Sequence, residues 1–143
     1  MEGLFNAYCK VQIRIIAMIT QRTLALVEQL RALTRYRIAH ILPLLVNAAQ
    51  QHALITYGEL SANDNLLPNK YGYTLGRLAN TLASMQDDGN PIPPLTAICV
   101  NRYGQPGNGV INVIGNEPWA QARDRVFAYN NWEQVCNELS AAL

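Results

Sequence analysis

The apolar positions of the chain change their period several times, and those changes predict its elements. From Lys10 to Leu33 there is neither Pro nor Gly, and Ile16, Ile19, Thr23, Leu26, Leu30 and Leu33 recur every three or four residues, which predicts a long helix. Over Val11 to Ile15 apolar and polar residues alternate strictly, so a strand competes with the helix there. Thr34 is placed to cap a further helix, which Pro43 kinks or restarts and which continues through Gln51. Thr56 followed by Glu59 has capping-box spacing, so a short helix is expected to begin at Tyr57. It ends early, because Asn63-Asp64-Asn65 and Pro68-Asn69 favour turns.

After Gly72, Thr74 is expected to cap a second helix of this pair, with Leu75, Leu78, Leu82 and Met85 facing inward. Its opposite face carries Arg77, Asn80, Thr81 and Ser84 and no carboxylate. Arg and Asn read base edges and short hydroxyls reach phosphates, so this is the selection a recognition helix needs. Any surface helix also has a polar face, and the pattern alone does not separate the two. Asp87 to Pro91 is read as the helix end, and the apolar run Leu95 to Asn101 as a buried strand. A loop with three glycines leads to Val110–Ile114, read as the second strand of a hairpin, with Arg102 at its base. Asn116-Glu117-Pro118 predicts a helix start near Pro118, with Trp119, Ala122, Val126 and Phe127 inward. Asn130-Asn131 interrupts it, and Trp132, Val135, Cys136 and Leu139 mark a final helix.

A capped helix, a turn, a second helix and a hairpin describe a winged helix-turn-helix. The expected fold is therefore α+β and mainly helical, with a winged helix-turn-helix-like module and a small β-hairpin flanked by N- and C-terminal helices. Residues 1–143 are expected to form one domain, with 1–53 as supporting helices, 54–114 as the module and 115–143 as C-terminal helices.

The segments Thr56-Tyr57-Gly58-Glu59-Leu60, Leu75-Gly76-Arg77-Leu78, Asn90-Pro91-Ile92-Pro93 and Ile98-Cys99 followed by Arg102 resemble the DNA-binding half of the alkylguanine-DNA alkyltransferases and the alkyltransferase-like proteins. The resemblance covers roughly residues 53–109. It implies a winged-helix DNA-binding fold, and it sets the family's base-flipping arginine against Tyr73. The family's reactive Pro-Cys-His-Arg motif is absent: here the run is Ile98-Cys99-Val100-Asn101-Arg102, with no proline before the cysteine and no histidine after it. Without a base or cation beside it a thiol stays protonated, so Cys99 reads as a small core residue and alkyl transfer is not expected.

Charge adds a second pole. Residues 10–37 hold six basic residues, Lys10, Arg14, Arg22, Arg31, Arg35 and Arg37, against Glu28 alone, whereas the whole chain has a net charge of only +1. Such a basic segment suits phosphates or an acidic protein partner, and equally the solvated face of a helix. The three cysteines are far apart and the two histidines lack ligand spacing, so neither a disulfide framework, a metal site nor a cofactor is expected. Met1 to Tyr8 has no signal-peptide pattern, and the longest uncharged stretch, Ile38 to Gly58, carries Pro43 and several polar side chains, so a cytoplasmic protein outside the membrane is expected. The glycine run at 104–109 lacks the Lys-Ser/Thr and helix of a phosphate loop, and Asp87-Asp88 reads as a solvated helix end.

Two functions of different class remain. The first is a non-enzymatic DNA-binding protein, with Tyr73, Arg77, Asn80, Thr81, Ser84 and Arg102 as contacts. The second is an adaptor or inhibitor of phage or bacterial-conflict type that binds a protein through the basic N-terminal helices or the C-terminal tryptophans.

Overall fold

A computed structural model describes residues 18–62 and 71–143 of the chain. The expected strand or helix over 10–17, and the turn signals at Asn63–Asn65 and Pro68–Asn69, lie outside the described residues. Within them the fold is α+β and mainly helical, with seven α-helices, one 3-10 helix and four two-residue strands.

The centre is α2 (Ala32–Gln50), whose Ile38, Ile41, Leu42 and Leu45 are fully buried. Helix α7 (Trp132–Ala142), helix α6 (Trp119–Ala128), helix α4 (Tyr71–Ala83) and the 3-10 helix (Leu95–Ile98) all pack on it. Pro43 lies inside α2 on its exposed side, where water can serve the carbonyl that loses a donor, and the helix runs on through it. The helix starts at Ala32, so Thr34 is a buried residue of its first turn and not its cap.

Ahead of it stands α1 (Gln21–Gln29), capped reciprocally by Thr20 and Thr23. The expected unbroken helix to Leu33 is interrupted, because Leu30 and Arg31 are extended at ψ 137° and 153°. The cap of α1 is docked on the end of α4: Thr20 Oγ1 donates to the Ser84 carbonyl at 2.8 Å, and Ser84 Oγ donates to Thr23 Oγ1 at 2.8 Å.

The Thr56–Glu59 capping box is present, with Glu59 N donating to Thr56 Oγ1 at 3.1 Å, and α3 (Tyr57–Ser61) begins where the spacing predicts. Just before it, β1 (Ile55–Thr56) pairs in parallel with β4 (Cys99–Val100). Helix α4 starts at Tyr71, earlier than the Thr74 cap predicted, and Thr74 is buried inside it. Its inward stripe of Leu75, Leu78, Leu82 and Met85 is buried as expected.

After α4 the strands β2 (Gln86–Asp87) and β3 (Asn90–Pro91) form a hairpin where the sequence was read as a plain helix end. Asp88 and Gly89 both have positive φ, 54° and 82°, the pair a tight Asp-Gly hairpin turn requires. Tyr129 Oη and Asn131 Nδ2 each donate to Asp87 Oδ2 at 2.7 Å and so tie this hairpin to the α6–α7 joint.

The expected wing is not what residues 95–114 form. Leu95–Ile98 is a 3-10 helix, strand β4 is only Cys99–Val100, and residues read as the second strand belong to helix α5 (Asn108–Ile114). A strand over 110–114 would set Asn112 on the same face as Val110 and Ile114. The helix buries Val110 and half-buries Ile114 against Ala97, Trp119 and Ala122 while Asn112 stays in water, and that packing overrides the β-preference of a branched run. The C-terminal helices follow the sequence reading: α6 begins after Pro118, the chain breaks at Asn131, and Trp132, Val135 and Leu139 are buried. Both indole N–H groups are bonded, Trp119 to the Ala97 carbonyl and Trp132 to the Val126 carbonyl, each at 2.8 Å.

Candidate nucleic-acid interface

A groove of about 730 Å³ opens between the start of α3, the start of α4 and the loop that follows β4. The parallel pairing of Thr56 with Val100 sets its two sides, since it places Tyr57 beside the Asn101–Gln105 loop. That loop is closed on itself: Asn101 Oδ1 accepts from the backbone N–H of Tyr103 at 2.9 Å and of Gln105 at 3.1 Å, and Val100 bridges Pro106. A positive φ of 77° at Gly104 completes the turn. The loop's own hydrogen bonds therefore hold Arg102 and Tyr103 outward.

Tyr103 is 71% exposed, and the Arg102 guanidinium lies 4.8 Å from its ring centroid while Arg102 Nη2 donates to its hydroxyl at 2.6 Å. The same pairing recurs on α4, where Arg77 lies 5.1 Å from the ring of Tyr73, which is 58% exposed. Tyr73 and Arg77 are four residues apart on one helix face, and Tyr73 follows Gly72, which lines the groove. One turn further, Asn80 lines a second open groove with Thr20, Gln21, Arg22 and Gln86. Among the described residues none that lines either groove is acidic, although the exposed Glu59 stands at the edge of the first, 3.0 Å from the Thr56 hydroxyl. Arg102 and Arg22 line these two grooves, and Arg77 lies on α4 between Gly72 of the first and Asn80 of the second, which makes a belt of polar and aromatic side chains.

Two of the expected contacts have their hydroxyls engaged within the fold. Thr81 is buried and its hydroxyl donates to the Arg77 carbonyl at 2.8 Å, four residues back in the same helix. Ser84 lines the second groove beside Arg22 and Asn80, but its Oγ faces both Thr23 Oγ1 and the Thr81 carbonyl, so its single proton is engaged at the α1–α4 junction. Tyr73, Arg77, Asn80 and Arg102 remain exposed. Tyr57 and Tyr103 complete the surface without having been expected there, and Arg22 joins it from the basic segment 10–37 that suits phosphates. A tyrosine one residue after a candidate arginine, in a glycine-rich loop, was the available signal for Tyr103.

Tyr57 forms the inner wall. Its ring is half-buried, packs on the core and closes over Gly107, where a Cβ would overlap its hydroxyl oxygen. Burial, and secondarily Cys99, push its phenol upward from the ordinary value, so it stays neutral at physiological pH. Cys99 lies beneath, fully buried, and burial followed by the charge of Glu59 pushes its thiol up to about 12. Such a thiol is protonated at neutral pH and shielded from any electrophile, which leaves it a packing role.

Among the described residues there is no group of three or more His, Cys, Asp and Glu side chains that could hold a metal ion. Nor is any described helix long and apolar enough to cross a membrane. No family model, no curated protein and no solved structure matches this chain.

Proposed function

We propose that the protein binds DNA without acting on it, through the belt that runs from Arg102 across the groove to Tyr73, Arg77 and Asn80. The single observation that carries this reading is the repeated exposed Arg–Tyr pair, Arg77 with Tyr73 on α4 and Arg102 with Tyr103 on the loop. A guanidinium supplies charge to a phosphate and a ring supplies a face to a base, which is the combination polynucleotide grooves use. The resemblance of residues 53–109 to alkyltransferase-like proteins points the same way, and the buried, protonated Cys99 accords with binding without alkyl transfer.

Titrating a fluorescently labelled duplex with protein over a range of salt tests the reading. Affinity is expected to fall linearly on a log–log plot, and Arg102→Ala is expected to flatten the slope by roughly 0.9, the share of one phosphate, equally for all sequences. Absence of salt-dependent binding to any polynucleotide at low ionic strength would remove the proposal. A protein partner is the second reading, and one observation favours it: Leu33 and Tyr36 on α2 are 57% and 64% exposed, close in sequence to the exposed Arg31. Under that reading, changes at Leu33 and Tyr36 matter for binding and changes at Arg77 do not.

A further inference from the structure

Resting on the nucleic-acid reading, we infer that the preferred ligand is a single strand, laid along the groove with unpaired bases stacked on Tyr103 and Tyr73 and phosphates held by Arg102 and Arg77.

The argument begins with what a regular duplex would require. A helix that reads the major groove offers base-edge donors and acceptors along an exposed face, and a winged module adds a strand hairpin to hold the backbone. On α4 the hydroxyl of Thr81 is buried and bonded to its own helix, and that of Ser84 is bonded to α1 and to Thr81. Arg77 and Asn80 alone remain for base edges, and residues 108–114 are a helix where the second wing strand was expected. The surface has lost much of its equipment for a duplex.

It is, however, equipped for unpaired bases. Tyr73 and Tyr103 are among the most exposed large apolar side chains of the described residues, at 58% and 71%, so their rings contribute little to the core and are open to a ligand. Each carries its own arginine within 5.1 Å of the ring, which adds a cation to the stacking face. The space between the two sides, about 730 Å³, is concave and wide enough to admit nucleotides whose bases are free of a partner strand. Its walls, built by Tyr57, Gly58, Gly72, Asn101, Asn108 and Gly109, offer amides and bare backbone, none of the described lining residues is acidic, and the neighbouring Glu59 carboxylate is engaged by Thr56. Base stacking of this kind is tolerant of sequence, because every base has a π-face.

Deoxyribose and ribose strands share this chemistry, so the experiment uses both. The full-length protein is titrated into labelled oligo-dT and oligo-rU of about 12 nucleotides, a length within the site sizes of such grooves. A blunt duplex of the same length is the comparison. The single strands are expected to bind at least about tenfold more tightly than the duplex, and an advantage for one sugar identifies the natural source. Tyr103→Ala and Tyr73→Ala are each expected to weaken single-strand binding about 5- to 150-fold, the range of one lost stack, with Tyr→Phe at either position close to wild type. Both rings are exposed, and an unchanged unfolding curve confirms that the variants are folded. Duplex bound as tightly as single strand, or tyrosine-to-alanine variants that bind single strands like wild type, overturns the inference. If in that case duplex binding still falls on Arg77→Ala and Arg102→Ala, the DNA-binding reading survives without it. Binding to neither form removes both.

Discussion

Replacing Gly107 with Ala tests how the groove wall is built. Gly107 caps α5 with φ −74° and ψ 167°, an ordinary extended conformation that alanine adopts freely, so any cost must come from the added methyl. That methyl would overlap the Tyr57 hydroxyl oxygen and stand 3.4 Å from Cζ and 3.7 Å from Cε2. To reach an ordinary contact, the hydroxyl must retreat by about 1 Å. It is attached to a ring already packed on the core, so the retreat strains either the ring or the start of α5. Overpacking of this size costs about 1–3 kcal/mol, equivalent to roughly 3–10 °C in Tm for a chain of this length. Only the hydroxyl is in the way. In the Tyr57→Phe background the nearest contact relaxes to the 3.4 Å of Cζ, and most of the cost of Gly107→Ala is expected to disappear. Urea unfolding of the wild type, both single variants and the double variant closes a cycle whose coupling should be about 1–2 kcal/mol. Strict additivity, or a Gly107→Ala variant as stable as wild type, would refute the close approach of Tyr57 to this backbone.

Three other outcomes are expected. Burial, and more weakly the charge of Asp87, raise the Glu138 carboxyl above its ordinary value of 4.5, against a lowering hydrogen bond from Gln134. The folded chain then holds that proton more tightly than the unfolded chain, so this group's contribution to stability declines as the pH rises above 4.5. Glu138→Gln should remove that decline and unfold at higher urea at pH 7, and an unchanged pH profile would count against it. Cys99 is fully buried with its thiol pushed up to about 12, so incubation with methylated duplex DNA should leave its mass unchanged; a stoichiometric methyl adduct on Cys99 would defeat the packing role. A fragment beginning at Leu54 lacks Ile38, Ile41, Leu42 and Leu45, all fully buried, and should show no cooperative unfolding transition. Native-like NMR dispersion from that fragment would show that α2 is dispensable.

The elements legible in the sequence are those whose signals are local. Thr56 and Glu59 bond each other across three residues, Pro118 precedes a helix it can start but not interrupt, and the stripe Leu75, Leu78, Leu82 and Met85 needs only helical periodicity to face inward. The Asp88-Gly89 turn was also local, but flanking strands of two residues are too short to show alternation, and the hairpin was read as a helix end. Of the candidate surface, Arg77, Asn80 and Arg102 were readable because exposure on a helix face or in a glycine loop follows from pattern, whereas Tyr73 came only from the resemblance.

What the tertiary structure decided are the choices that depend on residues far away in the chain. Val110–Ile114 is a helix because Trp119, Ala122 and Ala97 offer it a floor that a strand would have met with Asn112. Leu95–Ile98 is buried on all sides, which erases the periodicity that distinguishes a strand from a helical turn. Ser84 lines the groove that Arg22 and Asn80 share, but its hydroxyl is engaged by Thr23, 61 residues away, and that same contact docks α1 on α4. A hydroxyl on a polar helix face has the same sequence signature whether it meets water, a ligand or another helix, and only the packing of distant elements determines which of the three it meets.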